Sequence, residues 1–238
     1  MEDRRTGALY LEMTRVRPDA YGRERAPVVA AAPGVQRSTW WSNQCPDRDD
    51  LPRRLPEFAT LGLHEVDATF APPPAAAGIT GLHVIATPRP GQGTLGPEAV
   101  DGLLVVLISP RTLDGAQALR DWGDLVHLRH IAEAAVPGYR MITPYERVGG
   151  GEPRFLHLYE MVTDDPEATY RSMTPLVQER LGPPGTPGYD AWAWHPTLGI
   201  DYVNTFRLEG EVSGRVRRTG TGSAGQDPRI RCQNRGAD

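Results

Sequence analysis

The chain has 238 residues, a formal net charge of −4, 39% hydrophobic and 24% charged residues, which is long enough for one large or two small folded units. The acidic balance gives no electrostatic reason to expect nucleic acid or an anionic membrane as a partner. All 26 basic residues are arginine, so lysine Schiff bases and a P-loop lysine are excluded, and two cysteines cannot make a disulfide framework.

Periodicity predicts a strand over residues 7–16 and a helix over 18–32, ended by Pro33-Gly34. Further strands are predicted at 35–43, 59–66 and 82–87. The Pro/Ala-rich stretch 70–78 between the last two is a poor helix. The second half repeats the order. An aliphatic strand at 102–108 leads to a helix over 116–135 stopped by Pro137-Gly138. Strands at 139–148 and 154–162 flank a glycine-rich turn. Asp165 is a good N-cap with Pro166 behind it, for a helix to about 181, and residues 199–208 close the half as a strand.

Two segments recur: Pro33-Gly-Val-Gln-Arg37 answers Pro137-Gly-Tyr-Arg-Met141, and Leu63-His-Glu-Val66 answers Leu158-Tyr-Glu-Met161. The expected fold class is therefore α+β, with two tandem ferredoxin-like βαββαβ halves, the first lacking its second helix. The halves span 7–97 and 98–210, related by duplication. Residues 211–238 have almost no aliphatic content and read as a disordered tail. No apolar run has the length of a membrane span or signal peptide, which makes the cytoplasm the expected location.

The stretch from Leu119 through Trp122, His127 and His130 to Val136-Pro-Gly-Tyr139 resembles the aromatic-x-x-x-His…Pro-Gly pattern of EthD-like proteins, in the dimeric α+β barrel superfamily. The first half has a matching skeleton, Tyr21…Arg25-Ala-Pro27…Pro33-Gly34, with Arg25 where that family has histidine. The resemblance implies two ferredoxin-like sheets around a cavity, supplied here by one chain, which would be a monomer or a homodimer. It also implies a small-molecule ligand and, among activities, cofactor-free monooxygenation, cyclisation or decarboxylation of aromatic or polyketide-like compounds. The competing expectation is a non-catalytic ligand-binding or structural barrel, and a haem barrel is a distant third.

In the strand 154–162, alternation separates Leu156, Leu158, Glu160 and Val162 from Phe155, His157, Tyr159 and Met161. With the aliphatic face assigned to the helices, His157 and Tyr159 point into the barrel as candidate proton carriers, and Glu65 and Glu160 lie on the helix side. Ile200, Tyr202, Asn204 and Phe206 share one face of the last strand. Tyr202, Asn204, Phe206 and Trp194 are candidate ligand contacts, Trp194 from a segment 192–196 that reads as a lid or a packed loop. His130 is a third candidate catalytic residue from the family motif, and the motif leaves open whether it or His127 is the family histidine. A helical wheel buries Leu119, Trp122, Leu125, Val126, Leu128 and Ala132 and leaves His127 solvated. The His-x-x-His spacing has no third ligand, and neither a metal nor a cofactor is expected.

Overall fold

In the computed structural model, which describes residues 7–51, 53–74 and 81–214, the chain forms one closed barrel of antiparallel strands. The first half contributes β1 (Ala8–Thr14), α1 (Pro18–Glu24), α2 (Ala26–Ala30), β2 (Val35–Asn43), β3 (Thr60–Val66) and β4 (Gly81–Pro88). A two-residue strand, β5 (Gln92–Gly93), leads to the second half. It contains β6 (Gly102–Pro110), α3 (Ala116–Trp122), a π-helical turn (Gly123–His127), α4 (Leu128–Glu133), β7 (Tyr139–Arg147) and β8 (Phe155–Met161). It ends with α5 (Pro166–Leu181), α6 (Pro187–Ala193) and β9 (Leu198–Ser213).

The strand order is β4-β1-β3-β2-β9-β6-β8-β7, and pairing of β4 with β7 closes the ring. Each half thus lays its strands in the order fourth, first, third, second. The second strand of each half joins the fourth strand of the other. The register repeats as well: Leu9 faces Glu65 across β1 and β3, and Leu103 faces Glu160 across β6 and β8. Even the irregularities match, with a register shift between Val35 and Arg37 and another between Tyr139 and Met141. Both come just after a Pro-Gly step whose glycine, Gly34 or Gly138, has a positive φ that a side chain would strain. The expected α+β fold is present, and residues 67–74 between β3 and β4 form no helix.

Several local expectations are corrected. The first helix breaks at Arg25, because Pro27 has no N–H and crowds the preceding turn, so α1 and α2 meet there. β9 continues to Ser213 and pairs Glu211 with Thr39, so residues 211–213 belong to the sheet. Gly214 donates to the Gln36 carbonyl at 2.8 Å, and residues 215–238 of the expected tail lie outside the described residues. The N-cap of α5 is as expected, Asp165 accepting from the Ala168 amide at 2.9 Å. Among the described residues no helix is long and apolar enough to cross a membrane.

The largest correction concerns which face of the strands turns inward. Leu9, Leu11, Met13, Leu61, Leu103, Val105, Leu107, Leu156 and Leu158 form the core inside the barrel. Tyr159 packs outside it, among Leu128, Ile131, Met173 and Val177 of the covering helices. An eight-stranded barrel is narrow enough for its own side chains to fill, so its interior is the drier and more aliphatic face. Assigning the aliphatic face to the helices therefore inverted β8. In β9 a bulge beside Ile108 skips Asp201, so Ile200 turns to the helices while Tyr202 and Phe206 turn into the barrel.

Candidate functional site

The barrel interior is filled at one end and open at the other. At the filled end the loop before β3 inserts Phe58 against Tyr202 and presents the Glu57 carboxylate to β9. Tyr202 donates to it at 2.5 Å, and Asn43 and Asn204 donate at 2.7 and 3.2 Å. Tyr202 and Asn204 thus anchor a loop, and Phe206 packs in the core beside Tyr202.

At the open end lies a cavity of about 870 Å³, of the size of small-molecule sites. Its wall is built from equivalent positions of the two halves: Leu9 and Leu103, Thr39 and Thr143, Trp41 and Tyr145, Leu63 and Leu158, Glu65 and Glu160, Arg37 and Met141. Leu9, Trp41, Leu103, Tyr145 and Leu158 are buried and make an apolar, aromatic floor. Exposed Gln36, Glu98 and Glu211 mark the mouth, and the segment from Gly93 to Val100 that links the halves forms one side.

Glu65 and Glu160 therefore face the cavity, contrary to the helix-side position expected for them. Burial and, after it, the nearby Glu65 charge raise the Glu160 carboxyl to about 7 against the opposing effect of Arg37. Arg37 instead reaches Glu65, its Nη1 lying 3.2 Å from Oε1, and its Nη2 lies 3.0 Å from Glu211. The pair has the ingredients for acid–base work: one carboxyl held near a guanidinium, and one close to neutrality at physiological pH.

None of the side chains singled out from sequence lines this cavity. His157 is buried beneath the π-helical turn, against Gly123, and burial holds its imidazole well below its ordinary range, with His127 and Arg89 adding to the effect. Tyr159 lies against Tyr139, with ring centroids 5.7 Å apart and planes tilted by 60°, and burial raises its phenol well above the usual value. His130 is on the outer side of α4, 3.4 Å from Glu133. Trp194 is 54% exposed beyond α6, and Trp192 of the same segment packs outside the barrel rather than over its mouth.

His127 is not solvated. It stacks on Trp192 with rings 6° from parallel, touches Trp122, and lies 3.0 Å from the Trp192 carbonyl. Burial lowers its imidazole to about 4, that backbone contact opposing the shift. The π turn inserts an extra residue into the helix and rotates the turns after it, which a uniform wheel misses. It also leaves Leu125, placed in the buried arc by the wheel, 67% exposed.

A second polar cluster lies under α1 and α2. Arg25 grips Glu12, and Tyr10 and Tyr21 donate to the same carboxylate at 2.8 and 2.7 Å. His64 lies 2.9 Å from both the Tyr21 hydroxyl and Ser38, and burial lowers it to about 4. Arg25, Tyr10 and Tyr21 all donate to the buried Glu12 carboxylate, the pattern of a structural ion-pair network.

The signal for the cavity pair was present in the repeated Leu-x-Glu segments, and a misassigned face hid it. Among the described residues no group of histidine, cysteine and carboxylate side chains has the arrangement of a metal site.

No family model and no curated protein matches the sequence. The fold is similar to that of a crystal structure of an anthrone oxidase-like protein, with a TM-score of 0.54 and 16% identity over 93% of this chain and 99% of that chain. A provisionally named monooxygenase from Fusobacterium nucleatum aligns with a TM-score of 0.48 and 7% identity over 88% of this chain and 95% of that chain. The fold is that of the dimeric α+β barrels, completed here within a single chain.

Proposed function

We propose that the open-end cavity is the reaction site of a cofactor-independent enzyme acting on small aromatic or polyketide-like ketones. The observation that carries this reading is the convergence of Glu65 and Glu160, from equivalent positions of the two halves, on an aromatic cavity from opposite sides of the ring. Glu65, beside Arg37, is the carboxylate that takes a proton from a methylene carbon conjugated to the ketone through an aromatic ring, as in anthrone. The C–H electron pair moves onto the carbonyl oxygen, and neutral Glu160 donates a hydrogen bond to the enolate oxygen as it forms. With dioxygen as the oxidant, an enolate of a methylene ketone gives a second carbonyl and one water. Each dioxygen accepts four electrons, placing one oxygen atom in the product and one in water.

The likeness to an anthrone oxidase-like protein and the EthD-like sequence pattern both favour this chemistry. The same reading retains a cytoplasmic protein, related halves that arose by tandem duplication, and a site that needs no partner subunit because the ring closes in one chain.

The test is dioxygen uptake with anthrone by the purified protein, in parallel with Glu65→Gln. One dioxygen consumed per anthrone, with a loss of at least about 100-fold in the variant, supports the reading. Tight binding of anthrone without uptake identifies a non-catalytic ligand barrel instead.

A further inference from the structure

Arg37 and Met141 occupy the same place in the two halves, opposite Glu65 on β3 and opposite Glu160 on β8 respectively. Other neighbours of the two carboxyls match: leucine behind each, at Leu9 and Leu103, and threonine two residues along each neighbouring strand, at Thr39 and Thr143, while Trp41 answers Tyr145. We propose that this arginine-for-methionine exchange sets which carboxyl is ionised and which is neutral, and so makes the cavity favour uncharged ligands, most of all those that present both an acceptor oxygen and a hydroxyl donor. The inference rests on the cavity being a ligand site, as proposed above, and adds what the site selects.

A carboxyl beside a guanidinium keeps its charge, while one beside a thioether and out of water is more stable as the acid. The two then differ in hydrogen-bonding sense. Glu65 offers only acceptors, and neutral Glu160 offers one donor. A ligand that satisfies both carries a carbonyl oxygen for Glu160 and a hydroxyl for Glu65, as an ortho-hydroxy aryl ketone does.

A ligand carboxylate is disfavoured twice. It has no proton for Glu65, and it meets an acidic wall. Among the described residues, the charged or titratable groups lining the cavity are Arg37, Glu65, Glu98, Tyr145, Glu160 and Glu211. Both terminal nitrogens of Arg37, the one cation among the described lining residues, are already engaged by Glu65 and Glu211, and only its buried Nε has no partner. Glu98 at the mouth is paired outward with Arg140 at 3.0 Å, and among the described lining residues there is no second cation to receive an anion.

Calorimetry with two near-isosteric probes, ortho-hydroxyacetonaphthone and ortho-hydroxynaphthoate, tests this on the full chain. At about pH 6 the ketone binds at least about tenfold tighter than the carboxylate, and its affinity falls as pH rises through about 7. Met141→Arg gives both carboxyls a cation, which abolishes the tenfold preference and flattens the pH dependence. Arg37→Met removes the cation from the other side, diminishes the preference and moves the pH midpoint upward. It serves as the second variant should Met141→Arg not fold.

Equal or tighter binding of the carboxylate by the wild type overturns the selectivity while leaving the cavity as a ligand site. Wild-type preference and pH profile in a folded variant overturn the role of the exchange. Failure of both probes to bind removes the cavity reading itself, and this inference with it.

Discussion

The guanidinium of Arg25 lies 2.5 Å from the carboxylate of Glu12, and both side chains are fully buried beneath the two short helices of the first half. Burial by itself would raise the Glu12 carboxyl, but hydrogen bonds from His83, Arg25, Tyr21 and Tyr10 override it and hold the group well below the usual carboxylate range. Removing one partner of such a pair strands the other charge. Arg25→Ala is expected to cost about 3–5 kcal/mol of stability, read as a lowered denaturant midpoint. A depressed carboxylate stabilises the fold above its unfolded-state value and loses that contribution as pH falls towards its folded one. Glu12→Gln should therefore remove part of the acid-induced fall in stability seen in the wild type.

Glu160 has the opposite sign. Its folded-state carboxyl is raised to about 7 from an ordinary 4.5 by burial and by Glu65. Stability is thus greatest below the ordinary range, declines as pH rises between the two values, and is level above the higher one. Glu160→Gln should melt with the wild type at about pH 4 and be more stable at about pH 8, by about 3 kcal/mol. Thermal melts across that window check it; a variant less stable than wild type at the alkaline end would contradict the buried position.

His157 separates a packed site from a reactive one. It sits beneath the π-helical turn with Gly123 against its ring, on the side of the sheet away from the cavity. His157→Ala should therefore lose about 2 kcal/mol or more, as expected of a truncation in a packed site. Ligand affinity in the cavity should change by less than about twofold. Intact stability with abolished binding would restore His157 to the binding site.

The residues show why the fold was more legible than the site. Strand order and the two halves came from repeated short segments, because alternation and Pro-Gly stops are local properties that survive into the barrel. Which face turned inward was not local. It depended on the ring closing through β4 and β7, which made the interior drier than the surface beneath the helices. That one inversion moved His157 and Tyr159 out of the interior and hid Glu160. The π turn at Gly123–His127 and the bulge at Asp201 each displaced a phase by one residue, which no uniform period anticipates. Arg37 stood in a recognised repeat, yet its significance lay in the difference from Met141 rather than in the likeness.

The chemistry proposed for the cavity depends above all on Glu160 being an acid at neutral pH, and its titration is directly observable. Carbon-13 labelling of glutamate, with the Glu160 carboxyl signal assigned by its loss in Glu160→Gln, gives the midpoint in the wild type. A midpoint near 7, moving down towards the ordinary carboxylate range in Met141→Arg, is the predicted result. A wild-type midpoint at about 4.5, the value of a solvated glutamate, would contradict the neutral acid and the division of labour between Glu65 and Glu160.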